Sequence, residues 1–192
     1  YWLIEKTADD ISTDHPKLNP DPAAHLLIAP PDQACHYRFG GGDFVGSGSH
    51  LILPNTSSII MDHSQPFVVL GIKFHVGAIY SLAFNNAIPL TNSVITDTNI
   101  LPLEIRSLSI SELLSDTKNQ PEQVCTRLDE NLLFWLERSQ DDVHSDLVRR
   151  IVSIFDQTQI SEIGSTLSCS QRTVERAFRK VSGLTLKQYQ SM

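Results

Sequence analysis

The hydrophobic pattern changes period once, near His75, and that change limits the chain to folds joining a sheet region to a helical one. Before it, short apolar runs alternate with turn chemistry at Pro30-Pro31, Gly40-Gly41-Gly42, Gly46-Ser47-Gly48, Pro54-Asn55 and Ser64-Gln65-Pro66. The runs Leu26–Ala29, Cys35–Phe39, His50–Leu53, Ser58–Met61 and Phe67–Phe74 read as strands, and their spacing predicts a small β-sandwich or barrel. Residues 13–22, with Pro16, Pro20 and Pro22, read as an irregular connection. After His75 the spacing turns helical. Val76–Phe84 is predicted as a short helix and residues 85–102 mostly as loop. Residues 121–138 are predicted as an amphipathic helix, with Pro121 in the first turn and Val124, Leu128, Leu132, Trp135 and Leu136 at three- and four-residue spacing. That stripe has two readings, packing on the sheet or forming a dimer face. The polar break Ser139-Gln140-Asp141-Asp142 separates it from a further helical stripe at Leu147, Ile151, Ile154 and Phe155. The expected fold is therefore α+β. A β-rich domain with a helical connector spans residues 1–140, and an all-α segment spans 141–192.

Charge first argues one way and then the other. The 192 residues carry a formal net charge of -7, which by itself speaks against a nucleic-acid partner. Residues 1–140 hold 8 basic and 16 acidic side chains, net -8; residues 141–192 hold 7 basic and 6 acidic, net +1. Within the latter, residues 171–192 set Arg172, Arg176, Arg179, Lys180 and Lys187 against Glu175 alone, net +4. Such asymmetry points to a nucleic-acid module joined to a part with another role.

The sharpest local pattern lies in that basic region, from Ile160 to Phe178. Two short helices meeting at a tight turn need a small residue where their backbones approach, and Gly164 supplies it. Ile163, Leu167, Val174 and Phe178 fall where apolar side chains would close a small core, and Ser168-Cys169 takes the turn. Ser170 suits the N-cap of the second helix and Gly183 its C-terminal stop. This is a helix-turn-helix layout, whose second helix enters the DNA major groove. On that helix Gln171, Arg172, Glu175 and Arg176 share an outward face with the chemistry to read adenine, guanine and cytosine edges. Arg179 and Lys180 lie one turn later, placed for phosphates. Spacing alone leaves an ordinary helical hairpin with solvated charges open.

The stretch from Ile160 to Leu167 (ISEIGSTL) and the stretch from Ser170 to Tyr189 (SQRTVERAFRKVSGLTLKQY) resemble the first helix-turn-helix of the AraC/XylS family of transcription regulators. Ser170 through Phe178, Gly183 and Lys187-Gln188-Tyr189 carry the match, while Leu186 stands where that family commonly has Pro. The resemblance covers about the last 50 residues. It implies that Arg172, Glu175 and Arg176 hold base-reading positions. It also implies a second helix-turn-helix after a long linking helix, so that these residues would be a fragment ending at Met192, with upstream sequence expected before Tyr1. Pro31-Asp32, the run Gly71-Ile72-Lys73-Phe74-His75-Val76-Gly77-Ala78 and Pro89-Leu90-Thr91 are similar to the N-terminal domain of one subgroup of these regulators. In that subgroup an acid often stands a few residues after Pro-Asp, where this chain has His36. The resemblance implies a cupin-like sensor that binds a small effector or mediates homodimerisation.

The competing reading is a cupin-like metal-binding protein or enzyme with a helical tail. His25, His36, His50, His63 and His75 are numerous, but no His-x-His pair of the kind metal-binding cupins use occurs among them, and no metal or cofactor is expected. Gly46-Ser47-Gly48-Ser49-His50 is not a nucleophile elbow, and Gly40-Gly41-Gly42 is neither a P-loop nor a dinucleotide fingerprint. Cys35, Cys125 and Cys169 are odd in number and scattered, which excludes a disulfide framework and suits a reducing cytoplasm. The count also excludes the Cys-rich zinc domain of DNA-repair regulators with a similar helix-turn-helix. Cys35 beside His36 is expected to be a buried structural thiol rather than a reactive one. No apolar run reaches membrane-spanning length. The expectation is a non-enzymatic, cytoplasmic, sequence-specific DNA-binding regulator.

Overall fold

A computed structural model describes residues 1–10, 14–80, 89–96, 108–139 and 143–192, with side chains 134–139 left out. It is an α+β fold. Among the described residues nine strands form two antiparallel sheets: β1 (Trp2–Lys6), β2 (Lys17–Leu18), β3 (His25–Ile28), β4 (Ala34–Phe39), β5 (Gly42–Ser47), β6 (His50–Ile52), β7 (Ile59–Met61), β8 (Phe67–Lys73) and β9 (Val94–Ile95). One sheet has the order β1-β8-β3-β6-β9 and the other β2-β7-β4-β5. Six α-helices follow among the described residues: α1 (Ile110–Asn119), α2 (Pro121–Ser139), α3 (Val143–Ile154), α4 (Ile163–Thr166), α5 (Gln171–Ser182) and α6 (Leu186–Gln190). Among the described residues neither sheet closes into a barrel.

The central strands β8, β3 and β6 of the five-stranded sheet are buried on both faces, and the strand period of two decides which residue goes where. Leu27, Ile52 and Val69 join Tyr37 and Phe39 of β4 and Ile59 and Met61 of β7, so one apolar cluster draws on both sheets. Their neighbours Leu26, Ile28, Leu51, Leu70 and Ile72 point the other way, onto Leu113 and Leu114 of α1 and Val124, Leu128 and Leu132 of α2. Two-sided burial explains why β3 and β8 read as nearly continuous apolar runs. The four-stranded sheet keeps one wet face, and β4 alternates exposed or half-buried with buried residues towards its end.

All five strands expected from the sequence are present. Four were illegible. β5 lies between two glycine signals and pairs with β4 in register, Phe39 opposite Gly42, across the two-residue turn Gly40-Gly41. β1 pairs with β8 from the far end of the segment. β2 falls inside the stretch read as irregular, and β9 inside the stretch read as loop, where it pairs with β6. Both are two residues long and exist only because a partner strand supplies their hydrogen bonds. Val76–Ile79, read as the start of a helix, forms turns bonded from Ala78 to His75 and from Tyr80 to Gly77; residues 81–88 lie outside the described residues. Helix α1 had no counterpart in the sequence reading. The stripe at Val124, Leu128 and Leu132 packs on the sheet as core, while the Trp135 and Leu136 side chains lie outside the described residues. Cys35 is half-buried at the edge of the two-sheet cluster rather than buried.

His50 is the one imidazole in the buried set. Its Nδ1 lies 2.7 Å from the Gly48 carbonyl oxygen and its Nε2 2.7 Å from the Tyr37 hydroxyl. The ring therefore donates from Nδ1 and accepts at Nε2, which is the neutral tautomer. Burial pushes its pKa below the ordinary 6.5. The unfolded chain then binds a proton that the folded one refuses, so stability is complete above about pH 6.5 and falls as the pH drops below it. Melting temperatures at pH 7.5 and 5.5 are expected to show this loss, well above the range where Asp and Glu titrate. A flat stability between those pH values would contradict the assignment.

Candidate nucleic-acid interface

Helices α3 to α6 share one core. Val148 and Ile151 of α3, Ile163 of α4, Val174, Phe178 and Val181 of α5, and Leu184 and Leu186 pack together, each at most 1% exposed. Tyr189 closes its edge, with ring centroids 4.6 Å from Phe155 and 5.3 Å from Phe178. The apolar positions anticipated for a helix-turn-helix thus lie where expected, with Leu167 partly buried against them.

The turn between α4 and α5 is as tight as its sequence suggests. A β-carbon at position 164 would sit 2.9 Å from both the Cys169 carbonyl oxygen and the Gln171 amide nitrogen. Both are backbone atoms that cannot step aside, so only glycine fits. The Cys169 amide donates to the Gly164 carbonyl at 2.9 Å, and Ser168 takes a left-handed conformation, φ 55°. Ser170 caps α5, its hydroxyl accepting from the Thr173 amide at 3.1 Å. Gly183 ends the helix in the left-handed region, its amide bonded to the Arg179 carbonyl. One signal was missed in the sequence. Thr185 and Gln188 form a reciprocal capping box at the start of α6, legible as Thr-x-x-Gln.

The outward side chains of α5 sort differently from the sequence reading. At about 100° per residue, Arg172, Arg176 and Arg179 fall on one stripe opposite Val174, Ala177, Phe178 and Val181. All three arginines are exposed, and among the described residues none forms an ion pair. Glu175 is half-buried beside them. Gln171 is turned inward: its Oε1 accepts from the Gly164 amide at 3.3 Å and its Nε2 lies 3.5 Å from Glu175 Oε1. Lys180 lies off the arginine stripe, with its Nζ 5.8 Å from the centre of the Tyr80 ring.

No protein-family model matches the chain, and no curated protein is significantly similar to it.

Tyr80 belongs to the first half of the chain, and its contact with Lys180 is one of several across that divide. Val76, Tyr80 and Leu90 all join the core of α3–α6. Gly77, φ 80°, approaches α5 so closely that a β-carbon there would sit 2.6 Å from Val181 Cγ1. A β-carbon at position 183 would sit 2.8 Å from both Leu90 Cβ and Thr91 Cγ2. The two stretches that resemble a regulator's N-terminal domain, Gly71–Ala78 and Pro89–Thr91, are thus where the sheet region meets α5. Among the described residues no three His, Cys, Asp or Glu side chains group as a metal ion would need, and no helix is long and apolar enough to cross a membrane.

Proposed function

We propose that the chain is a sequence-specific DNA-binding transcription regulator of the AraC/XylS type. In this reading residues 141–192 carry its first helix-turn-helix, and residues 1–140 a cupin-like domain that senses an effector or mediates dimerisation. The protein works in the cytoplasm and is not an enzyme. One observation carries the reading. The exposed stripe Arg172, Arg176 and Arg179 stands opposite the buried face of a helix held by the Gly164 turn. Unpaired guanidinium groups in a row offer bidentate donors to guanine and charge to phosphates. The two sheets sharing one apolar cluster support the sensor reading of the N-terminal part.

Arg172 and Arg176, nearest the N-terminus of α5, read bases in this scheme, and Arg179 holds the backbone. Gln171, engaged with the turn, positions α5 instead of reading adenine. Lys180 reaches phosphate only by leaving Tyr80. Selection from a random duplex pool at low salt, using the full-length protein, is expected to enrich one motif. Arg172→Ala should then cost about 1–3 kcal/mol on the enriched duplex and little on random DNA. Arg179→Ala should weaken both alike and lower the salt slope by about 0.9. Equal losses on both duplexes for Arg172→Ala would refute its base-reading role, and no enriched motif would refute the function.

A further inference from the structure

A cavity of about 540 Å³ lies where the sheet, α2, α3 and α5 come together. Its volume is in the range of sites for metabolite-sized ligands. Phe74 and Val76 line it from the segment after β8, Leu132 and Leu133 from α2, and Val152 and Val181 from the helix-turn-helix unit. The wall is thus mainly apolar, and residues from both halves of the chain supply it. Its charged groups are unequal in what they have left to offer. The Asp129 carboxylate already accepts from the Tyr1 hydroxyl. Lys73 is paired with Asp21 at 2.7 Å. Among the described residues Arg149 has only an exposed contact to Asp146, 3.2 Å within the same helix, which leaves most of its five donors uncommitted at the cavity wall.

We infer that this cavity binds a small organic anion with an apolar body, its carboxylate or sulfonate on Arg149 and its body between α2, α3 and the turn at Val76. A cation would meet Arg149 and Lys73 with only an engaged carboxylate to offset them. A neutral apolar molecule would leave the guanidinium unused. The occupant touches both halves of the chain at once, so binding favours the docked arrangement of α5 over any in which it separates. The site itself stands on the cavity alone; its role as an effector site rests on the DNA-binding reading above.

The test uses the 192-residue chain with 8-anilinonaphthalene-1-sulfonate as fluorescent probe, displaced by 4-phenylbutyrate and, as its neutral counterpart, 4-phenylbutanol. The acid is expected to displace the dye about tenfold more tightly than the alcohol, the gain of one charge-assisted contact. Arg149→Gln should abolish that preference without changing the melting temperature. Leu133→Trp, from a position 55% exposed, should fill the cavity and reduce binding of dye and acid alike. Equal displacement by acid and alcohol, a preference that survives Arg149→Gln, or dye binding untouched by Leu133→Trp would each overturn the site. DNA binding is read on the full-length protein. Ligand binding without any sequence-selective duplex binding would sink the regulator reading and leave the site standing. Duplex binding without ligand binding would do the reverse.

Discussion

Replacing Phe178 with alanine is expected to lower the unfolding free energy by about 3–5 kcal/mol, the usual cost of emptying a large aromatic site in a core. Phe178 is fully buried and sits among Val148, Ile151, Ile163 and Val174, with Tyr189 against its edge. None of these neighbours can fill the space easily. Ile163 and Val174 are held by the α4–α5 turn, where the backbones already touch at Gly164. Domain stabilities are about 5–15 kcal/mol, so the loss is a large share of the total. Urea unfolding followed by circular dichroism measures it. The same cluster contains Val76, Tyr80 and Leu90, so the variant should also weaken the hold of the sheet region on α5. A loss below about 1 kcal/mol would contradict a core shared by α3–α6.

Leu128→Ala should cost about 2–5 kcal/mol, and the cost should not depend on protein concentration. The second half of that statement separates the two sequence readings of α2. Leu128 is fully buried between the helix and the sheet, with Leu26, Leu51 and Leu70 in the same cluster. A residue buried within one chain destabilises the monomer alone. A residue at a dimer face would make the melting temperature rise with concentration and make the variant's deficit shrink with dilution. Thermal melts over a hundredfold concentration range distinguish them. Leu133, five residues on and 55% exposed, should by contrast tolerate alanine nearly unchanged.

How much of this was legible depended on whether the signal was local. The turn at Gly164-Ser168-Cys169, the cap at Ser170 and the stop at Gly183 are local events, because hydrogen bonds and steric limits act between residues close in sequence. All of them fall where the sequence put them. Strands with a full apolar run, such as Phe67–Lys73, were equally plain. The two-residue strands Lys17–Leu18 and Val94–Ile95 were not, since nothing in two residues distinguishes a ladder from a loop. Strand Gly42–Ser47 was hidden for the opposite reason: glycines at its start and near its end read as turn, and the Gly40-Gly41 hairpin makes the run between them a strand. Gln171 was read with the outward face, yet at about 100° per residue it falls beside Phe178, and its Oε1 accepts from the Gly164 amide at the turn.

The sequence by itself therefore determined the α+β class, the strand and helix periods and the helix-turn-helix turn. Only the tertiary structure decided which surfaces cover which faces. It set Leu27 and Leu26 against different partners, placed Val181 against Gly77, drew Lys180 over Tyr80, and opened the cavity beside Arg149. The physical reason is the range of the forces that write the pattern. Backbone geometry fixes which side chains share a face within a few residues, whereas the partner of that face is chosen by burying the most apolar surface across the whole chain.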